Sequence, residues 1–237
     1  MGKGKRDLLD IDGIEVAYGH AKVLHDVSLR LDEGEMVFIV GRNGAGKTTL
    51  LKTICGLLKP TAGRIVYQGQ DILGWPAESV ARQGIRFVAQ EKKVFADLTV
   101  KGNIELAAYA SGEDVERAVN RLTELYPRFD EFLNRKAGGL SGGQREILLI
   151  SRALVGDPKL LLVDEPTEGL AAIVIEEIFR ILDEMKARKV SAFIVEQNLS
   201  VVSQLADRIY IMKEGKIIRE IREKNQIAKT DELEGYL

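Results

Sequence analysis

The run that decides the fold is Gly41-Arg42-Asn43-Gly44-Ala45-Gly46-Lys47-Thr48, followed by Thr49. It matches the pattern G-x-x-x-x-G-K-[ST], in which glycines let the backbone approach an anion closely. An apolar segment at 36–40 precedes the run, and residues 49–54 have a helical pattern. This strand–loop–helix setting favours a phosphate-binding loop over a glycine-rich turn that matches by chance. We therefore expect Lys47 to reach the β- and γ-phosphates of a nucleotide and the Thr48 hydroxyl to ligate Mg²⁺.

The composition indicates a soluble protein with a sizeable core. Hydrophobic residues make up 45% of the 237 residues and charged residues 30%. The net charge of −2 argues against non-specific nucleic-acid binding through an overall basic surface. The single cysteine, Cys55, excludes an internal disulfide and is expected to be a small buried apolar residue. No apolar run approaches the roughly 18 residues of a membrane span, so we expect that the chain does not cross a membrane by itself.

The hydrophobic pattern predicts an α/β fold with an all-helical stretch in its middle. Strands are predicted at 7–18, 22–31, 36–40, 63–69, 85–89, 160–163 and 192–195, with a final hairpin over 208–221. Between 92 and 155 the β signals stop, and the predicted helices are 100–110, 113–126 and 142–155. A later amphipathic helix is predicted from Leu170 to Arg188, with Ile173 on its apolar face.

These elements predict one domain over 1–237, with a helical insert in an α/β core. The core would comprise 7–91 and 156–221, the insert 92–155, and the polar tails 1–6 and 222–237.

Two acidic residues, Asp164 and Glu165, follow the apolar strand at 160–163. Because ligands of parallel α/β sheets lie at the carboxyl ends of strands, both acids would lie beside the phosphate loop. Asp164 can hold Mg²⁺ directly or through water, which leaves Glu165 to orient or deprotonate an attacking water. The alternative is that the two acids merely end a strand and face solvent.

With these motifs, the chain resembles the ATP-binding subunit of ABC transporters along nearly its whole length. Gly41–Thr48 looks like the Walker A motif, and Leu160–Glu165 looks like Walker B with its catalytic glutamate. The run Leu140-Ser141-Gly142-Gly143-Gln144 is identical to the family's signature sequence. The resemblance implies the ABC form of the P-loop NTPase fold, with a mixed core sheet, an antiparallel β-subdomain and an inserted helical subdomain. It also implies ATP and Mg²⁺ as cofactors.

The resemblance further implies a complete set of site residues. The nucleotide would contact Tyr18, Gly41, Arg42, Asn43, Gly44, Ala45, Gly46, Lys47, Thr48, Thr49 and Gln90. Mg²⁺ would be held by Thr48, Gln90 and Asp164, and the catalytic residues would be Glu165 and Gln197. Ser141, Gly142, Gly143 and Gln144 would act in trans on the nucleotide of a partner ATPase. For Tyr18, the resemblance implies adenine stacking. Its position in the sequence alone does not distinguish this role from that of an ordinary aromatic residue on a sheet surface.

Two departures from the family pattern indicate a particular branch. Gln197 stands where most members carry a histidine that contacts the γ-phosphate, and residues 168–172 replace the common S-x-L-D sequence. The sequences V-E-Q-N at 195–198 and E-G-L-A at 168–171 resemble those of the second ATPase of branched-chain amino acid, urea or amide uptake systems. In that branch two different ATPases usually pair, so we expect a heterodimer with a histidine-bearing sister chain; a homodimer is the alternative.

The resemblance implies a motor subunit that energises transport, most simply uptake of branched-chain amino acids or a related small polar solute. Its partners would be transmembrane permease subunits, a second ATPase and a solute-binding protein, without nucleic acid, at the cytoplasmic face of the cell membrane. Within this class the alternative is an exporter ATPase. A soluble ABC ATPase of translation or repair usually has two nucleotide domains or a long coiled-coil insertion, and neither is visible. A kinase is disfavoured by residues 140–144 and Glu165.

A docking groove for the membrane subunit is expected at residues 90–99 and the adjacent helix at 100–110. Phe95 and Leu98 are the candidate apolar contacts. The alternative, equally favoured by the sequence, is that both side chains pack inside the helical insert.

Overall fold

The computed structural model describes residues 7–91, 93–227 and 234–235, and it contains two sheets with helices around them. The predicted tail at 1–6 lies outside the described residues, as do residues 228–233 and 236–237 of the predicted tail at 222–237. The strands are β1 (Asp7–Tyr18), β2 (Ala21–Asp32), β3 (Met36–Val40), β4 (Ala62–Tyr67), β5 (Gln70–Asp71), β6 (Ile85–Val88), β7 (Leu160–Asp164), β8 (Ser191–Val195), β9 (Arg208–Lys213) and β10 (Lys216–Ile221). The helices are α1 (Lys47–Ile54), α2 (Ala77–Arg82), α3 (Val100–Ser111), α4 (Val115–Leu125), α5 (Gly142–Ala153), α6 (Ala172–Ala187), α7 (Leu199–Leu205) and α8 (Lys224–Ile227).

The smaller sheet is antiparallel, with the strand order β2-β1-β4-β5. The first two predicted strands are confirmed, and they pair antiparallel, with Asp10 opposite Arg30 and Ile11 opposite Leu29. Buried and more exposed residues alternate along β2, as expected for a strand with one face in the core.

The larger sheet is mixed, with the strand order β10-β9-β3-β8-β7-β6. Neighbouring strands from β9 to β6 are parallel, and only β10 is antiparallel, in the predicted hairpin with β9. All residues of β3, β7 and β8 are buried, which explains their continuous apolar sequences. Because these strands are parallel, their carboxyl ends meet at one edge of the sheet.

Alternate residues of the central strands face two hydrophobic clusters. On one face, Phe38, Val163 and Ile194 pack with the helical segment α3–α5 and with α6 and α7. On the other face, Ile39 and Phe193 pack with α1 and the antiparallel sheet. The predicted α/β architecture with a mixed sheet and an antiparallel sheet is therefore confirmed, and the phosphate loop lies where the two sheets approach each other. Among the described residues, every helix is too short or too polar to cross a lipid bilayer.

Three local expectations can be compared with the structure. Cys55 is buried as predicted, and burial raises the pKa of its thiol to about 11. The prediction that Ile173 lies on the buried apolar face of α6 was wrong, because its side chain is 65% exposed in the first turn of the helix. The end of the chain was expected to be a polar tail, but residues 224–227 form α8, and its Ile227 is buried in the core.

Helix α5 packs closely on α6 at a glycine of the signature run. A Cβ on Gly143 would lie 2.4 Å from Val174 Cγ1, far closer than atoms pack in proteins. A Cβ on the neighbouring Gly142 would meet no atom of the described residues within 4 Å. Gly143 is therefore required for helix packing, whereas Gly142 is not.

We predict that Gly143→Ala lowers the free energy of unfolding by about 1–3 kcal/mol, because the added methyl forces α5 away from α6. Urea denaturation of the full chain measures this change. The matched control, Gly142→Ala, should be at least as stable as the original chain. Adding Val174→Ala to Gly143→Ala should recover most of the loss. Equal stability of the two single alanine variants would contradict the packing argument.

Candidate active site

The candidate site lies at the carboxyl edge of the larger sheet, where the loop 41–46 connects β3 to α1. Gly44 and Gly46 have φ angles of 81° and 104°, in the left-handed region that favours glycine. Gly41 has no room for a side chain, since a Cβ would lie 2.2 Å from the Met212 carbonyl oxygen. The glycines of the motif are thus explained by the loop's geometry. The loop places backbone N–H groups and the N-terminus of α1 toward a potential anion.

A cavity of about 310 Å³ opens beside this loop. Seven predicted nucleotide contacts and the predicted catalytic acid line it, together with Val23: Asn43, Gly44, Gly46, Lys47, Thr48, Thr49, Gln90 and Glu165. Ala45 is buried, and its N–H donates to the Arg42 carbonyl at 3.1 Å. Ala45 and the Arg42 backbone therefore shape the loop and do not line the cavity.

Lys47 is held in this cavity by oxygen atoms on three sides. Its Nζ donates to the carbonyls of Gly41 at 2.6 Å and Arg42 at 3.1 Å, and it lies 3.3 Å from Glu165 Oε1. The Lys47 side chain is 4% exposed and that of Glu165 is 7% exposed. In such a buried setting, an ammonium group is a strong partner for phosphate oxygens.

Thr48 and Asp164 form the second contact across the site. Thr48 Oγ1 donates to Asp164 Oδ1 at 3.1 Å. Burial raises the pKa of Asp164, and the Glu165 carboxylate adds to this effect, whereas the hydrogen bond from Thr48 and the charge of Lys47 oppose it. A nearby cation would therefore be electrostatically favourable beside Asp164.

The donors around Asp164 fit Mg²⁺. Its Oδ2 is buried and has no hydrogen-bond partner among the described residues, so this acceptor lacks the donor or cation that a buried carboxylate requires. Within the part of the chain that the structure describes, no three His, Cys, Asp or Glu residues cluster to form a metal cage. A carboxylate and a hydroxyl completed by phosphate oxygens and water are the ligands that Mg²⁺ commonly takes at nucleotide sites.

Glu165 connects the phosphate loop to the end of β8. Its Oε1 accepts from Gln197 Nε2 at 2.8 Å, and the same Gln197 nitrogen donates to Asn43 Oδ1 at 2.8 Å. The Glu165 backbone has a φ of 51°, unusual for a non-glycine residue, and its N–H donates to the Val195 carbonyl at 3.0 Å. Such a conformation costs about 1–3 kcal/mol and persists where surrounding contacts enforce it.

Gln90 reaches the site from the end of β6. Its Nε2 lies 3.5 Å from Glu165 Oε2 and also donates to the Glu168 carboxylate. Glu168 belongs to the segment 168–172 that departs from the family pattern. The sequence analysis noted the departure but gave no reason to expect this contact.

Several predicted residues do not line the cavity: besides Arg42 and Ala45, they are Gly41, Asp164, Gln197, Tyr18 and the signature residues. Tyr18 ends β1 and is 49% exposed, but it does not line the cavity. The signature residues also lie away from it, at the N-terminus of α5, where Ser141 and Gln144 form a capping box. Ser141 Oγ accepts from Gln144 N at 3.2 Å, and Gln144 Oε1 accepts from Ser141 N at 3.0 Å. The Gln144 side chain thus stabilises its own helix.

One buried acid at this edge, Glu196, was missed by the sequence analysis. Glu196 follows β8 directly and is 2% exposed. An acidic residue after a fully apolar strand is the same signal that identified Asp164 and Glu165, so it was visible in the sequence.

The chain is similar to known proteins of one family. The family model described as "ABC transporter" matches residues 24–168. The chain is 40% identical over 212 residues to the high-affinity branched-chain amino acid transport ATP-binding protein BraG of Pseudomonas aeruginosa, covering 89% of this chain and 91% of that protein.

Two solved structures extend the comparison to the fold. An ATP-binding cassette of an ABC transporter in its ADP conformation superposes with a TM-score of 0.84 and 29% identity, over 98% of each chain. A dimeric cassette in a post-hydrolysis state, bound to ADP and phosphate, gives a TM-score of 0.80 and 28% identity, over 90% of this chain and 98% of that chain. With its phosphate loop, paired acids and signature run, the chain belongs to the ABC transporter family, as an ATP-binding and ATP-hydrolysing subunit.

Proposed function

We propose that this chain is the motor subunit of an ABC transporter for the uptake of branched-chain amino acids or a related small polar solute. The convergence of Lys47, Asp164, Glu165 and Gln197 at one edge of the sheet carries the assignment of the catalytic site. The similarity to BraG, whose name states branched-chain amino acid transport, supports the substrate class. Import is favoured over export by the V-E-Q-N string at 195–198, which resembles uptake ATPases.

In the proposed binding step, the phosphates of ATP occupy the loop 41–48. Lys47 would exchange the carbonyls of Gly41 and Arg42 for β- and γ-phosphate oxygens. Thr48, Asp164 and Gln90 would hold Mg²⁺, which when bound supplies positive charge against the phosphate oxygens. Tyr18 remains the proposed stacking partner for adenine, since its exposed ring is available at the end of β1.

In the proposed hydrolytic step, Glu165 orients a water molecule and accepts a proton as the water oxygen bonds to the γ-phosphorus. The bond between the γ-phosphorus and the β–γ bridging oxygen breaks, which gives ADP and phosphate. The amide of Gln197 holds Glu165 with one N–H, and it would turn the other N–H from Asn43 toward the reacting phosphate. It cannot titrate as the more common histidine does.

We predict that Glu165→Gln lowers the rate of ATP hydrolysis by about 10²–10⁴-fold, because the amide keeps the shape of the carboxylate but cannot accept the proton. Phosphate release from the purified chain measures turnover, and a fluorescent ATP analogue measures binding, which should persist. Glu184→Gln, an exposed acid on α6, is the matched control with unchanged turnover. Unchanged hydrolysis by Glu165→Gln would contradict the proposed role of this residue.

The signature run supports the proposal of a second ATPase chain. Gly142 and Gly143 open α5 outside this chain's cavity, so their N–H groups are available to a phosphate of a partner, whereas the Ser141 N–H is used by the capping box. The similarity to a dimeric cassette supports the same arrangement. Since Gln197 replaces the histidine, we propose a histidine-bearing sister chain as the partner. Two ATP molecules would then lie between the two chains, and closure around them would drive the membrane subunits.

The proposed docking site for the permease is a groove of about 750 Å³ between α3 and the end of β6. Phe95 lines this groove and is 50% exposed, with the Arg152 guanidinium 5.2 Å from its ring centroid. Leu98 is 40% exposed nearby in the chain. This exposure favours docking over packing inside the helical segment, because both side chains leave apolar surface uncovered. A short helix of the permease, at the cytoplasmic face of the membrane, is the proposed occupant.

We predict that a photo-crosslinker at position 95 captures a multi-span membrane protein in membranes of the source cell. The matched control is position 218, because Ile218 is 47% exposed but lies on β10, at the opposite edge of the sheet from β6. Mass spectrometry identifies the crosslinked protein. If position 95 yields no membrane protein, or no more than position 218 does, the docking proposal is wrong.

We predict that affinity purification of the chain from detergent-solubilised membranes recovers two multi-span subunits and one sister ATPase with a histidine at the position of Gln197. Purification with only ribosomal, nucleic-acid or other soluble partners would instead support a soluble ABC ATPase. A stable ATP-bound homodimer with high turnover, formed by the chain alone, would remove the basis for the heterodimer.

A further inference from the structure

Glu196 is a buried carboxylate whose two oxygens are both fully engaged. Oε1 accepts from the Thr167 backbone N–H at 3.0 Å and from the Thr167 hydroxyl at 2.5 Å. Oε2 accepts from the backbone N–H groups of Gln197 at 2.7 Å and Asn198 at 2.9 Å. Thr167 is itself 5% exposed. The carboxylate therefore joins two segments of the chain that lie 29 residues apart in sequence.

The two segments that Glu196 joins both belong to the nucleotide site. Thr167 lies two residues after Glu165, and Gln197 directly follows Glu196. Beyond the carboxylate, Asn198 caps α7, since its side chain accepts from Ser200 N at 3.1 Å. The backbone of Gln197 is thus fixed from Glu196 on one side and from the start of α7 on the other. From this position the Gln197 amide reaches Glu165 and Asn43.

The charge of Glu196 is balanced by N–H and O–H donors alone. In the described part of the chain, no lysine or arginine forms an ion pair with it. Burial raises the pKa of Glu196, and the hydrogen bonds from Asn198, Thr167 and Gln197 oppose this effect. Hydrogen bonds to an ionised acceptor are stronger and shorter than neutral ones, so the donors are held firmly in place. A buried acid arranged in this way fixes the geometry of its neighbours without touching the substrate cavity.

We propose that Glu196 is a positioning residue for ATP hydrolysis, which holds the Gln197 amide against Glu165 and ties it to the segment that carries Thr167. This inference rests on the proposed roles of Glu165 and Gln197. In this chain the residue that replaces the family's histidine has a flexible side chain with no ring to restrict it. Glu196 restrains the backbone from which that side chain extends, so the amide stays within hydrogen-bond distance of the catalytic acid.

The test compares Glu196→Gln with Gln197→Ala and with the double variant in the full-length chain. An amide at position 196 has one acceptor oxygen, so either the Thr167 donors or the Gln197 and Asn198 donors lose their acceptor. We expect kcat for ATP hydrolysis to fall by about ten- to a hundredfold, with KM within about threefold of the original. In the Gln197→Ala background the same change should cause no further loss, because its effect passes through Gln197. Glu184→Gln is the control for an acid-to-amide change.

A merely structural role for Glu196 gives different results. If Glu196 positions Gln197, binding of a fluorescent ATP analogue should be nearly unchanged in Glu196→Gln, although the donors left unpaired lower the thermal melting temperature by a few degrees. The inference is overturned by an equal loss of kcat with and without Gln197, by a loss of ATP binding that matches the loss of kcat, or by unchanged turnover. If Glu196→Gln does not fold, Thr167→Val retains the buried charge but removes one donor, and the same comparison with Gln197→Ala is made with it.

Failure of the proposed catalytic site is separately visible. If Glu165→Gln and Gln197→Ala both retain full turnover, the proposed site is wrong, and the role of Glu196 falls with it. Two outcomes overturn only the inference about Glu196. In the first, Glu165→Gln and Gln197→Ala lose turnover but Glu196→Gln does not. In the second, all three lose turnover, and Glu196→Gln lowers kcat equally in the presence and absence of Gln197.

Discussion

The buried contact between Lys47 and Glu165 is the interaction on which the rest of the site depends. The two charges lie 3.3 Å apart, and each belongs to a different strand–loop junction of the same sheet. Charges this deeply buried are stable only when each has a partner and further hydrogen bonds. The carbonyls of Gly41 and Arg42 supply them for Lys47, and the amide of Gln197 supplies one for Glu165. The parallel order β3-β8-β7 makes this possible, because it brings all three junctions to one edge.

Glu165 contacts residues from three separate segments of the site. Three residues contact its carboxylate. Lys47 belongs to the phosphate loop, Gln197 lies at the end of β8, and Gln90 lies in the segment that leads to the groove beside Phe95. Glu168 adds a contact to Gln90 that is specific to the unusual segment 168–172. The same carboxylate is therefore linked to the nucleotide, to the proposed docking groove and to the segment that follows β7. Direct side-chain contacts therefore connect these three places.

The sequence predicted the larger features because each depends on a local pattern. Continuous apolar runs identified β3, β7 and β8. The glycine motif and the two acids at the end of β7 identified the edge of the sheet where the site lies. The hydrogen bonds of Glu196 to Thr167 were not predictable, because they depend on how two loops far apart in sequence lie relative to each other. Ile173 fits the helical period of a buried face, yet it lies in the first turn of α6, beyond the covering elements. The packing of Gly143 on Val174 likewise follows from the approach of two helices.

The residues that hold this site together, Lys47 and Glu165 above all, are expected to be the ones that contact ATP. A crystal structure of the chain with a non-hydrolysable ATP analogue and Mg²⁺ tests this expectation most directly. We predict that Lys47 Nζ leaves the Gly41 and Arg42 carbonyls for phosphate oxygens at about 3 Å, while Gln197 stays on Glu165. Phosphates bound elsewhere, with Lys47 still on the loop carbonyls and Glu165, would contradict the account.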